Sequence, residues 1–210
     1  SLFPHPYTVS VVGTTVTADQ TSTAATMMRG LTNAGYTVGV AKVTGTGSAK
    51  DAELMTEAGA KLTLDFTHAG FPSTYLATPE QIDHIIEVLV THLSVVRVDA
   101  IVIQIADGLL QSETAALLNS RVFAKIVDSV ILAADDVADA ASGVEYLKRK
   151  KLPVTAISGR LTTSPLAIIE AVDAAGLPVL DQTALSSQTI VDVLQIPPVQ
   201  MPSIQNMLAS

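Results

Sequence analysis

The 210-residue chain has no cysteine, so neither a disulfide framework nor a thiolate nucleophile is available to it. Only four histidines, His5, His68, His84 and His92, remain as soft metal ligands, and no HExxH pattern joins any of them. His84 and His92 lie eight residues apart, too far along a helix for adjacent ligation, so zinc catalysis is not expected. Cations are scarce as well. Twelve Lys and Arg against 20 Asp and Glu give a formal charge of −8 and a pI near 4.8. That balance argues against an extended footprint for nucleic acid or an anionic membrane, while leaving room for a local anion site. Long apolar runs are missing too: Ala100-Ile101-Val102-Ile103 is far too short to span a bilayer. The opening SLFPHPYT lacks the charged and apolar regions of a signal peptide, and the reading is a soluble, cytoplasmic protein. There is no GxSxG and no GxGxxG, which weakens a serine-hydrolase or dinucleotide-binding reading.

What the chain does have is apolar residues in a repeating order. Hydrophobic residues make up 48% and mean hydropathy is +0.42, enough for a single core that buries roughly 70% of the unfolded surface. Strands are expected at 8–13, 37–43, 61–65, 99–105, 129–133, 153–157 and 178–180, each a short run rich in branched apolar residues. Between them lie helical patterns, including 49–59, 136–149, 164–175 and 183–193. Thr78-Pro79-Glu80 starts a further helix, with a threonine cap, proline in the first turn and apolar positions Ile82, Ile85, Ile86, Leu89 and Val90. This alternation gives an α/β fold, a doubly wound, mostly parallel sheet of about seven strands. Residues 1–7 read as an N-terminal arm, 8–194 as one domain and 195–210 as an extended tail. The tail's Ile196, Val199, Met201, Ile204, Met207 and Leu208 imply packing on the domain body or on a partner. A protein partner, a missing flanking domain and homo-oligomer formation all stay open.

Between strand 1 and helix 1 runs Gly13-Thr14-Thr15-Val16-Thr17-Ala18-Asp19-Gln20-Thr21-Ser22-Thr23. This loop resembles that of the dethiobiotin-synthetase-like P-loop group, and more closely that of the DUF1611 family, whose pattern is Gly-Thr-Asp-x-x-Val-Gly-Lys-x-Thr. Gly13-Thr14 match its opening, Thr15 stands at the Asp, Ala18 at the Val, Asp19 at the glycine and Gln20 at the lysine, with Ser22-Thr23 in the hydroxyl region. The resemblance implies a P-loop NTPase-like three-layer sandwich. It also implies cofactor contacts from Gly13, Thr14, Thr21, Ser22 and Thr23. Lys42, in VAKVTGTGSAKD, matches a strand-2 lysine that approaches substrate or phosphate, and Asp51 matches an acidic residue that helps hold magnesium. Gln104 occupies the acidic position of strand 4, with Asp107 as a substitute metal ligand and Arg160 near the place of a nucleotide base.

Each of these positions also has a plainer reading. Lys42 could be a solvated strand-end lysine, Asp51 a helix N-terminal charge, Asp107-Gly108 a turn and Arg160 a surface residue. The polar group Asp65, Thr67, His68, Ser73, Thr74 and Tyr75 could carry a histidine acid or base, or simply cap its own loop. A phosphate loop needs glycine for inward N–H groups and lysine for the β and γ phosphates. Asp19 and Gln20 supply neither. Two function classes follow: a non-catalytic or altered P-loop-like domain with a scaffold, regulatory or assembly role, and a Mg-ATP-dependent small-molecule ligase or kinase. ATP and magnesium are expected only under the second. Either way, the crevice should lie at the carboxyl ends of strands 1, 2 and 4, lined by 14–23, 42–51, 65–75 and 104–108.

Overall fold

The computed structural model describes residues 6–47 and 49–199. In chain order the main elements are β1 (Tyr7–Gly13), α1 (Gln20–Asn33), β2 (Val38–Lys42), α2 (Ala49–Glu57), β3 (Leu62–Asp65), α3 (Pro79–Val95) and β4 (Ala100–Gly108). These are followed by α4 (Ser112–Asn119), α5 (Arg121–Ile126), β5 (Ser129–Ala133), α6 (Val137–Arg149), β6 (Val154–Ser158), α7 (Pro165–Ala175), α8 (Gln182–Leu185) and α9 (Gln188–Leu194). The strands form a single sheet of six in the order β3-β2-β4-β1-β5-β6, with every pairing parallel. The expected strand at 178–180 reduces to one bridge, Val179 beside Ile157, at the outer side of the edge strand β6.

Side-chain alternation along each strand divides the core into two layers. Ile101, Ile103 and Ile105 of β4 join α3, α4, α5, α6 and α7 in one apolar cluster. Ala100 and Val102 face the other side, with Met27, Met28 and Leu31 of α1, Met55 of α2, and Leu185 and Ile190 of α8 and α9. The result is helix, sheet, helix: a three-layer α/β sandwich. Gly30 lets α1 and α8 approach closely, because a Cβ there would lie 2.1 Å from the Leu185 carbonyl oxygen.

Helix starts follow local chemistry. Thr78 accepts from the Gln81 N–H while the Gln81 side chain returns to Thr78, with Pro79 opening the helix, so two orphan donors of α3 are satisfied at once. At the base of the sheet, Ile196 is buried in the second cluster and Val199 packs against it, while the Tyr7 and Tyr36 hydroxyls donate to the Leu194 and Ile196 carbonyls. The start of the expected tail therefore packs on the domain body. Its remaining apolar residues Met201, Ile204, Met207 and Leu208, like His5, lie outside the described residues. Strand β1 begins at Tyr7, inside the expected arm. Among the described residues no helix is long and apolar enough to cross a membrane.

Candidate functional site

Because β1 lies between β4 and β5 while the chain passes from β1 to β2 beyond β4, the carboxyl ends of the central strands open into a crevice. The loop after β1 is one wall. The Thr14 N–H donates to the Ala133 carbonyl, which anchors the loop to the end of β5. At its far end Asp19 adopts the left-handed conformation, φ 66° and ψ 35°, and caps α1 without a side-chain hydrogen bond. A glycine would hold this backbone at little cost, whereas an aspartate does so with some strain.

Gln20 turns back into the loop. It is only 6% exposed, and a Cβ on Gly13 would lie 2.8 Å from its Oε1 and 2.7 Å from the Thr15 carbonyl oxygen. Position 13 therefore admits only glycine, for reasons of close approach. Gln20 Oε1 has no hydrogen-bond partner, and neither do Thr14 Oγ1 and Thr23 Oγ1. Thr23 is fully buried, and Ser22 is half-buried beside it on α1. Thr21 has a definite role: its Oγ1 accepts from Gln104 Nε2 at 2.9 Å, tying the first turn of α1 to β4.

Three residues of the same wall carried no expectation from the sequence. Asp135, just beyond β5, accepts hydrogen bonds from the Thr15 and Thr17 hydroxyls, the latter at 2.8 Å, while its Oδ1 stays buried without a partner. The signal was present, an Asp-Asp pair following an apolar strand at the ligand end of the sheet. Nearby Asp139 has its pKa raised, first by burial and then by the charges of Asp136 and Asp135.

Lys42 ends β2 and is buried, with Nζ 2.5 Å from Asp51 Oδ2 and 2.9 Å from the Thr46 carbonyl oxygen. Two small cavities flank it. One, of about 40 Å³, is lined by Lys42, Asp51, Thr63, Asp65, His68 and Gln104, room for a water or two. The other, of about 180 Å³, has Lys42, Thr46, Ser73, Tyr75, Asp107 and Glu113 among its walls. Asp51 and Asp107 thus border different cavities, and Asp51 already neutralises the lysine. Among the described residues no three His, Cys, Asp or Glu side chains converge to hold a metal ion. Position 104 carries a neutral amide, which supplies no full charge to a divalent cation.

The remaining candidates separate. Strand β4 continues through Asp107 to Gly108, with a register shift against β1 and Asp107 at φ 66°, so this pair forms a bulged strand end. Arg160 is exposed and its N–H donates to the Ala18 carbonyl, which places its backbone against the first loop. Asp65 accepts from the Thr67 N–H at 2.9 Å, and the Asp65 N–H donates to His68 Nδ1 at 3.2 Å, forming a capping box for a short 3₁₀ turn. Burial would raise the Asp65 pKa, but hydrogen bonds from Thr67 and His68 outweigh it and leave it lowered. Ser73 accepts from the Tyr75 N–H, and Thr74 exchanges hydrogen bonds with Gly45. The loop 73–77 is pinned on its other side by Glu113, whose Oε1 accepts from the Leu76 N–H at 2.7 Å. A buried acid inside a helix gave no sequence signal, since such residues usually face solvent.

No sequence family and no curated protein matches the chain. Solved structures do. A DUF1611 family protein from Anabaena variabilis is 15% identical with a TM-score of 0.62, covering 91% of this chain and 58% of that one. Chloroplast FtsY from Physcomitrella patens is 15% identical with a TM-score of 0.59, over 91% and 65% of the two chains. The 54 kDa signal recognition particle protein from Aeropyrum pernix, solved in complex with GDP, is 18% identical with a TM-score of 0.57, over 98% and 49%. The chain thus spans about half to two thirds of the length of these three proteins. At such identities the likeness is one of fold, and the chain has the three-layer parallel fold of P-loop domains, similar to that of the DUF1611 family protein.

Proposed function

We propose that this P-loop-fold domain has given up nucleotide chemistry and serves an assembly or regulatory role. The observation that carries the reading is Gln20, whose buried side chain lies over Gly13 where the resemblance expects a lysine reaching outward to phosphate. The surrounding charge points the same way. Asp19 stands at the loop's glycine position, and Asp135, Asp136 and Asp139 gather on its β5 side. A polyphosphate entering there meets carboxylates instead of an ammonium, and at contact distance each such repulsion is worth on the order of 4 kcal/mol near a protein surface. Lys42 offers little relief, because Asp51 holds it. On this reading the GDP seen with the 54 kDa signal recognition particle protein has no counterpart here.

A second reading rests on two separate features: Asp19 keeps the left-handed backbone that a phosphate loop needs, and Lys42 reaches a cavity of about 180 Å³. It is a Mg-ATP-dependent ligase or kinase acting on a small molecule. Phosphate release and thermal melting with ATP, GTP and GDP in the presence of Mg²⁺ separate the two. The assembly reading expects no turnover above background and an unchanged Tm. Magnesium-dependent turnover or a clear rise in Tm overturns it in favour of the enzyme.

A further inference from the structure

Three loops at the carboxyl end of the sheet expose large apolar side chains that a self-sufficient surface has no need to show. Val16 is 66% exposed, Leu110 79%, Tyr75 75% and Leu76 74%. They border one continuous surface, because the turn after β4 joins them. On one side Gly108 packs so closely on the first loop that a Cβ would lie 2.7 Å from the Thr14 carbonyl oxygen. On the other, Asp107 and Gln111 share a cavity wall with Tyr75, and Leu76 is bonded to Glu113 of α4.

The same surface is acidic and short of donors. Asp19 and Asp136 are exposed, and Asp107, Asp135 and Asp139 are half-buried. Arg160 is an exposed cation beside the first loop, while Lys42 is neutralised by Asp51. Asp135 Oδ1, in this wall, has no donor among the described residues. A lysine or arginine entering from outside supplies several N–H groups and a charge of the right sign.

We infer that the face formed by loops 14–19, 73–77 and 107–111 with Asp135 and Asp136 is a docking surface for a basic, amphipathic segment of a partner protein. Apolar residues of that segment cover Val16, Leu110, Tyr75 and Leu76, and its cations meet the aspartates. An anionic lipid surface or a nucleic acid is repelled by the same charges. The inference rests on the proposed loss of phosphate binding, since a polyphosphate and a cationic side chain compete for one loop.

Its test is calorimetry on the full chain with three synthetic peptides: a Leu/Lys amphipathic helix, a Ser/Lys peptide of equal charge and a Leu/Glu counterpart. The Leu/Lys peptide should bind, weaken with added salt, and exceed both others by about tenfold or more, the scale of one well-buried anchor residue. In folded protein, Val16→Ser with Leu110→Ser should reduce that affinity by about tenfold. Leu166→Ser with Ile169→Ser, which alter the exposed apolar residues of α7, should leave it unchanged. No binding, equal binding of the Ser/Lys peptide, or indifference to the Val16 and Leu110 changes overturns the docking surface. Mg-ATP is titrated in parallel: its binding overturns the loss of phosphate chemistry, whereas silence toward ATP and the Leu/Lys peptide together overturns the docking surface alone.

Discussion

Gln104 Nε2 donates to Thr21 Oγ1 at 2.9 Å, joining the end of β4 to the first turn of α1. The amide meets the hydroxyl directly, so Thr21 ties the first turn of α1 to the sheet.

Placing glycine and lysine at positions 19 and 20 asks whether the residues there set nucleotide affinity. Asp19→Gly with Gln20→Lys removes a negative charge, relaxes a left-handed aspartate and returns an ammonium. ATP affinity should rise by about tenfold or more, read by calorimetry on the folded double variant. Unchanged affinity would sink the charge argument.

Lys42 and Asp51 form a buried ion pair whose halves are not equivalent. Asp51→Asn leaves a buried ammonium with only the Thr46 carbonyl, and should cost about 2 kcal/mol in urea unfolding. Lys42→Met leaves a more exposed carboxylate and should cost less. The double change should recover part of the loss, since the two effects are coupled; strict additivity would contradict the pairing.

Glu113 holds the 73–77 loop. Burial pushes its pKa up, but hydrogen bonds from Ser112, the Leu76 N–H and its own N–H overcome this and leave it lowered. The stability it adds is therefore full above the ordinary carboxylate value and is lost as pH falls through the lowered folded value. Glu113→Ala should cost about 2 kcal/mol and open residues 73–77 to limited proteolysis at neutral pH. Intact resistance would show that the loop is held by Thr74 and Gly45 alone.

Asp139 has the opposite sign. Its raised pKa means that its charged form is worse placed in the folded state than in the unfolded one. The penalty is present at neutral pH and is relieved as pH drops through the raised folded value. Asp139→Asn should raise Tm at pH 7 by on the order of 1–2 °C, and this gain should shrink in acid. A variant less stable than the parent at pH 7 would show that helix-start charge outweighs repulsion.

Much of this was readable from the residues. Branched apolar runs marked β1, β2, β4 and β5, because strands buried on both faces leave little room for other side chains. Thr78-Pro79 marked the start of α3 because its capping chemistry is local. Gln104 stood out as the polar interruption of an apolar strand, and it does face the first loop. The 178–180 run misled, since a short apolar segment beside an edge strand can pair through a single residue. Lys42 and Asp51 were each singled out, but their pairing depends on how the β2–α2 loop folds back. Asp135 and Glu113 were missed because their roles arise from contacts 120 and 37 residues away along the chain.

On the proposed reading the first loop does not hold phosphate. Calorimetric titration of the unaltered chain with ATP, with and without Mg²⁺, tests it most directly. The account predicts no binding heat under either condition. Magnesium-dependent binding in the micromolar range would contradict it, and would make Lys42 and Asp107 the first residues to change.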